Sequence, residues 1–320
     1  MTSGRGPQVL EIVALSRVFD LPRAFATANT PTVRVIGPDQ VTDPAKIEVA
    51  ISWVPTDDAF APYPNLRMVS SIAAGVDRIL ACPSLPDHVV VTRIRDTAQA
   101  DMMAGFAAWH VVWHHRRMGQ YVANQPLRIW DRSFQPPAPG QVRVGILGFG
   151  LMGQACARVI GAMGFPVVAA RSSASATPVP DGVTVLAGPG SIQAVAERSD
   201  ILINVLPLTD ATRDVLDAAL FARMPAGAVL VQIGRGEQMV EADLLAALDS
   251  GHLAGASVDV FRSEPPPADH PFWGHPNILV TPHRASDTSR LEILRQIALN
   301  YAALVAGQPA PGAVSRTAGY

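Results

Sequence analysis

The sequence predicts an α/β protein built from two parallel-sheet domains, and three observations carry the prediction. Short apolar runs alternate with helical patterns along almost the whole chain, the mark of repeated strand–helix–strand units. The 320 residues are about twice the ~150 typical of one domain. A Pro-rich connection, QPPAPG at residues 135–140, separates one alternating stretch from the next.

In the first stretch the apolar runs are VLEIVAL from residue 9, TVRVI from 32, IEVAISWV from 47, LRMVSSIAAGVDRIL from 66 and VVVTRI from 89. From Thr97 to about Tyr121 the chain has no proline and reads as one long helix. Past the Pro-rich connection come VRVGILG, a helix to Met163, VVAA, TVLAG, DILINVLP, GAVLVQIG and ASVDV, ending near His283. The last run, LEILRQIALNYAALVAG from Leu291, has apolar residues at helical spacing and predicts an amphipathic helix that packs back on the molecule. These boundaries divide the chain into residues 1–98 with 285–320, and residues 99–284.

Composition excludes several classes. With 48% hydrophobic and 16% charged residues and a net charge of −2, the chain is far from the disordered regime. Lys46 is the only lysine, so no broad cationic face is available for nucleic acid. Cys82 and Cys156 stand far apart without C-x-x-C spacing, which argues against a disulfide framework or a metal site. The N-terminal MTSGRGPQVLEIVALS carries Glu11 within its apolar stretch, and no later segment offers ~18 uninterrupted apolar residues. No membrane association and a cytoplasmic location are therefore expected.

The strongest local signal is VRVGILGFGLMG at residues 142–153. Gly148, Gly150 and Gly153 stand in G-x-G-x-x-G register, with Leu151 and Met152 between the last two, after a strand and before a helix. In that setting the triplet is specific for a dinucleotide fold. The first glycine permits the tight turn, the second lets main chain approach a pyrophosphate, and the third lets helix and strand pack closely. The helix N-terminus then offers unpaired N–H groups to the phosphates. Where NAD sites place an acidic residue, about 20 residues on, this chain has Arg171 followed by Ser172. A guanidinium pairs with a 2′-phosphate and cannot accept from a ribose hydroxyl. NADP(H) is therefore favoured, with NAD(H) as the second choice.

Three later segments carry polar groups at predicted strand ends: Arg235 in IGRGEQMV, Asp259 and Glu264 in ASVDVFRSEPPPADH, and His283 in VTPH. In order, G-x-G-x-x-G, R-G-x-x-x-V, D-V-F-x-x-E-P and T-P-H make the sequence resemble the D-isomer-specific 2-hydroxyacid dehydrogenase family over nearly its whole length. Within that family it is most similar to the short glyoxylate/hydroxypyruvate reductase A branch, down to the closing Gly319 and Tyr320. The resemblance implies two Rossmann-like/flavodoxin-like domains with an active-site cleft between them, the first stretch forming the substrate domain. It implies a small 2-oxo acid substrate and a homodimer formed through the long helix.

It also implies roles. Arg235 would grip the substrate carboxylate and polarise the carbonyl; His283 would donate the proton, loaded by a hydrogen bond to Glu264. That division suits the chemistry, because hydride delivery to C2 builds negative charge on the carbonyl oxygen, which a proton must then neutralise. Asp259 would contact the nicotinamide carboxamide, Pro207 would line the adenosine pocket and Ile233 would sit beside the nicotinamide. In the first domain the N–H groups of Ala74 and Gly75 would bind the carboxylate, and Trp53 either closes the substrate pocket or packs the core. The remaining histidines, His110, His114 and His115 on the long helix among them, fit structural or solvated roles.

Three positions depart from the family pattern. Gln232 replaces the usual asparagine before the R-G turn, Gly105 stands where a helix glutamate is common, and Arg284 follows His283 where an apolar residue is usual. A second cation there would either favour an extra anionic group on the substrate or oppose Glu264 by lowering the histidine pKa. Two rival functions are a dehydrogenase for a bulkier 2-oxo acid and a non-catalytic NAD(P)-sensing interaction protein. A formate dehydrogenase-like activity fits less well, because that branch carries glutamine at the position of Glu264.

Overall fold

The computed structural model describes residues 9–174, 179–317 and 319. The first eight residues of the N-terminal reading and the closing Tyr320 lie outside them. The chain forms two compact units: one runs to Asp96 and resumes at Thr288, and the other is Thr97–Asp287. The divisions differ by a few residues from the 98/99 and 284/285 expected. Thr97 opens a helix of the second unit, so that helix goes with it whole. Ala285 packs in the core of the second unit, which keeps the loop after His283 there.

In the first unit the chain runs β1 (Leu10–Leu15), α1 (Leu21–Phe25), β2 (Val33–Ile36), β3 (Val49–Ser52), β4 (Met68–Ser71), α2 (Asp77–Leu80) and β5 (Val90–Thr92). All five strands pair in parallel in the order β2-β1-β3-β4-β5. Both faces of this sheet are covered, which is why its strands read as near-continuous apolar runs. Val13, Ala50 and Val69 belong to one core cluster, and Ile12, Val49, Ile51 and Met68 to the other.

The second unit begins with α3 (Thr97–His115) and α4 (Met118–Leu127). The single helix expected to Tyr121 is therefore broken. Arg117 takes a left-handed backbone (φ 49°), and its guanidinium lies over the Phe134 ring at 4.1 Å. That contact depends on a residue well downstream, so local propensity does not announce it. Next come β6 (Val144–Leu147), α5 (Leu151–Ala162), β7 (Val167–Arg171), β8 (Val183–Ala187), α6 (Ser191–Ala196), β9 (Ile201–Asn204), α7 (Ala218–Arg223), β10 (Ala228–Gln232), α8 (Glu241–Asp249), β11 (Leu253–Val258) and β12 (Ile278–Val280). The seven strands are ordered β12-β11-β10-β9-β6-β7-β8, all parallel. The order reverses between β6 and β9, the topological switch point at which such sheets bind ligands. Small residues let α3 and α5 pack together: Ala100, Ala104 and Ala107 share a core cluster with Ala155, Cys156 and Ala157.

The chain then returns to the first unit in α9 (Arg290–Val305), capped by Ser289, whose hydroxyl accepts from the N–H of Glu292. Its buried face is Ile293, Leu294, Ile297 and Asn300, the amphipathic helix expected there. Both cysteines are free and buried. Among the described residues no helix is long and apolar enough to cross a membrane, and no cluster of three or more His, Cys, Asp or Glu could hold a metal ion.

Candidate active site

At the switch point β6 ends in the glycine turn. Gly148 sits at φ +99°, a region open to glycine and costly for side chains. Its N–H donates to Ala170 O at 3.1 Å, tying the turn to β7. A Cβ on Gly153 would overlap the carbonyl of Gly148, so α5 can leave the strand this closely only with glycine there. Gly150 is different, since a Cβ added to it would meet nothing within 4 Å. That open approach lies at the N-cap of α5, beside Leu151 and Met152 in a first turn whose N–H groups precede the helical ladder. The turn therefore fits a pyrophosphate. Arg171 closes β7, with its guanidinium 5.9 Å from the Phe149 ring centre, and Ser172 follows, exposed. These groups fit the 2′-phosphate expected from the sequence.

On the other side of the switch point, β9 leads into Leu206 and Pro207, and β10 ends at Gln232 before the buried Ile233. Arg235 follows in an extended conformation, half-buried, with Nη1 donating to Gly234 O at 2.8 Å. The glycine of the R-G pair is fixed by packing, because a Cβ on Gly236 would overlap the main chain of Phe261.

The same backbone positions Glu264, whose Oε1 accepts from the N–H of Phe261 at 3.0 Å. Its other oxygen, Oε2, accepts from Nδ1 of His283 at 2.8 Å. Burial alone would push the Glu264 carboxyl upward. The bond and charge of His283, the Phe261 N–H and the Arg235 charge outweigh it and hold the carboxyl below its usual range. Glu264 is therefore a carboxylate at neutral pH, and as an acceptor it requires the proton on Nδ1 of His283. Nε2, the other ring nitrogen, has no protein partner among the described residues.

His283 itself has a left-handed backbone (φ 52°), rare for a residue with a side chain and costing ~1–3 kcal/mol when imposed. Asp259 imposes it. This carboxylate is 1% exposed and accepts from Thr281 Oγ1 (2.6 Å), Arg284 N (2.9 Å) and Ala285 N (3.0 Å). Its own carbonyl accepts from the N–H of His283 at 2.8 Å. Asp259 thus holds the loop on both sides of the histidine, an arrangement the nicotinamide contact implied by resemblance had not suggested. The Arg284 side chain is exposed and without a protein partner among the described residues, and the cations acting on Glu264 are His283 and Arg235.

In the first unit the N–H groups of Ala74 and Gly75, after β4, meet no acceptor among the described residues. Ser71 Oγ shapes their turn by donating to Gly75 O at 2.6 Å and accepting from Ala73 N at 3.1 Å. Trp53 is half-buried just past β3, and the next residue, Val54, has φ 48°. A β-branched residue in that region marks local strain at the end of the strand.

Sequence reasoning missed two buried clusters of the second unit. Asn204, Gln232 and Gln238, all fully buried, hydrogen-bond one another around the turn that bears Arg235. Behind β11, Ser257 Oγ lies 2.8 Å from Nδ1 of His110 and 2.8 Å from Nε2 of His114. Its single proton can serve only one of them, so at least one of the two rings donates its N–H to the hydroxyl oxygen. The unexpected amide at Gln232 was the one visible hint of the first cluster.

The family model described as D-isomer specific 2-hydroxyacid dehydrogenase, NAD binding domain, matches residues 108–285. A glyoxylate/hydroxypyruvate reductase A of Serratia proteamaculans is 38% identical over 286 residues, covering 88% of this chain and 90% of that protein. Two solved structures are each 34% identical. One is a D-isomer specific 2-hydroxyacid dehydrogenase of Xanthobacter autotrophicus Py2 in complex with NADPH and MES, with a TM-score of 0.87 and coverage of 98% of this chain and 100% of that one. The other is an NADPH-dependent glyoxylate/hydroxypyruvate reductase of Sinorhizobium meliloti in complex with NADP and sulfate, with a TM-score of 0.89 and coverage of 97% and 99%.

Proposed function

The chain belongs to the D-isomer-specific 2-hydroxyacid dehydrogenase family, and from that premise we propose that it is an NADP(H)-preferring reductase of small 2-oxo acids, of the glyoxylate or hydroxypyruvate type, yielding the D-2-hydroxy acid. The observation that carries the reading is the 2.8 Å pair of His283 and Glu264, with Arg235 close enough to act on the same carboxylate, in the unit that bears the glycine turn.

NADP(H), when bound, supplies the hydride. Gly148, Gly150, Leu151, Met152 and Gly153 would hold its pyrophosphate, Arg171 and Ser172 its 2′-phosphate, Pro207 the adenosine side and Ile233 the nicotinamide side. Arg235 presents a planar fork to the substrate carboxylate and a positive field to the carbonyl oxygen as charge builds there. Because Glu264 fixes the proton on Nδ1, the nitrogen that delivers a proton to that oxygen is Nε2 of His283. Asp259 orders the loop, and its carboxylate already serves three donors there. Ala74 and Gly75 of the first unit, the substrate domain, offer unpaired N–H groups suited to a carboxylate; Trp53 stands at the end of the neighbouring strand as a pocket wall.

A homodimer is part of the same reading. Trp109 and Met102 on α3, Tyr121 and Val122 on α4, and then Ile129 and Trp130, the last 89% exposed, form an apolar series that water leaves unsatisfied. A cytoplasmic setting suits the two free cysteines. The test is to follow NADPH and NADH oxidation separately with glyoxylate, hydroxypyruvate, pyruvate and phenylpyruvate. NADPH oxidation with the two smallest polar acids supports the assignment. Preference for phenylpyruvate would point to a bulkier substrate, and cofactor binding without turnover of any acid would overturn the assignment in favour of a sensing role.

A further inference from the structure

The buried amide of Gln238 lies between two segments that the proposed function uses for different ligands. Its Oε1 accepts from the N–H of Arg235 at 2.8 Å and from Asn204 Nδ2 at 2.8 Å. Its Nε2 donates to Leu206 O at 3.0 Å and Pro207 O at 2.9 Å. Both acceptor positions and both donor protons of the amide are therefore used. Gln232 completes the frame: Oε1 accepts from Asn204 Nδ2 at 2.7 Å, and Nε2 donates to Arg235 O at 2.9 Å. Both main-chain polar groups of Arg235 are thus held by glutamine side chains. Asn204 joins the frame at the end of β9, where its Oδ1 accepts from Leu206 N at 3.2 Å. All three side chains are fully buried, so each bond forms without competition from water and its loss leaves an uncompensated polar group.

We propose that Gln238 is a positioning residue that fastens the main chain of the carboxylate-binding Arg235 to the Leu206–Pro207 turn on the cofactor side, so that the substrate anchor and the dinucleotide site are set by one amide. The inference rests on the proposed function for the identity of the two ligands. The physical link does not depend on it, because three of the four bonds join residue 235 to residues 206 and 207 whatever binds there. A long, flexible side chain gains this role by being saturated. With four partners Gln238 has one orientation, and neither segment can shift without breaking buried hydrogen bonds.

Two substitutions separate positioning from simple stability. Gln238→Met keeps the volume and removes all four bonds. It is expected to raise the KM for glyoxylate or hydroxypyruvate and the Kd for NADPH about tenfold each, the effect of ~1.4 kcal/mol. Gln238→Glu keeps the acceptor for Arg235 N and Asn204 Nδ2 but leaves at most one proton for the two carbonyls. It should raise the NADPH Kd about tenfold and leave the acid KM within about threefold. A merely structural amide would lower melting temperature and active fraction while sparing both constants. NADPH binding is read by cofactor fluorescence, independently of turnover, so an inactive wild type would defeat the proposed function while this arm still tests the tie to the turn. Folded Met and Glu variants with NADPH Kd and acid KM within twofold of wild type would overturn the proposal.

Discussion

Lowering the pH from 7 to 5 should destabilise the second unit through the two histidines that flank Ser257. Burial pushes His110 down from 6.5 to about 4, against a smaller upward pull from Asp259. Burial, then the neighbouring His110, pushes His114 down to about 3. Both pKa values lie below those of the unfolded chain, so the native state holds the rings neutral while the unfolded state takes up protons. The stabilisation is complete above pH 6.5 and is lost as the pH falls toward the native values. Integrating between pH 7 and 5 gives about 2 kcal/mol for each histidine, about 4 kcal/mol together. The assay is native-state hydrogen exchange of the α3 and β11 amides, which reads opening free energies without requiring the two units to unfold together. The reference is a His110→Gln, His114→Gln double variant, whose amides can still bond Ser257 but do not titrate. Wild type should lose about 4 kcal/mol more than the variant over this interval. Equal losses within about 1 kcal/mol would refute the assignment of buried neutral rings.

Asp259→Asn replaces one of three satisfied acceptor contacts by an NH2 facing a main-chain N–H, at a cost of about 2–4 kcal/mol to the loop. Turnover should fall about 10²-fold with unchanged affinity for both NADPH and 2′-phospho-ADP-ribose; a loss confined to NADPH would instead mean that the carboxylate serves the nicotinamide. Arg171→Asp should weaken NADPH binding at least tenfold and improve NADH binding, since it exchanges a 2′-phosphate partner for a ribose acceptor; isothermal titration with both cofactors checks the sign.

The parts of the fold legible in the sequence are those set by periodicity and by glycine. Strands covered on both faces, such as Val49–Ser52 and Ile201–Asn204, appear as apolar runs because both faces are buried, and the polar Ser52 and Asn204 stand only at their ends, where each is hydrogen-bonded. Gly148 and Gly153 are visible because no other residue fits their positions. The motif order singled out Arg235, Glu264 and His283 as candidates, but their separation in sequence carries no geometry. Glu264 and His283 are 19 residues apart and meet at 2.8 Å because Phe261 N–H holds one and Asp259 orders the loop of the other. What stayed hidden depends on partners distant in the chain. The break at Arg117 answers to Phe134, the amide cluster joins Asn204 to Gln238, and His110 and His114 meet across a serine of another element. A buried Gln or His in an apolar run reads only as an interruption until its partners are placed.

The proposed function turns on His283, its Nδ1 bound by Glu264, delivering the proton from Nε2 to a keto acid anchored by Arg235. Single-turnover reduction of glyoxylate or hydroxypyruvate by preloaded NADPH, with His283→Gln beside wild type, tests it most directly. The hydride-transfer rate of the variant should be lower by ~10²- to 10⁴-fold, with NADPH affinity unchanged. A His283→Gln rate within a few-fold of wild type would contradict it.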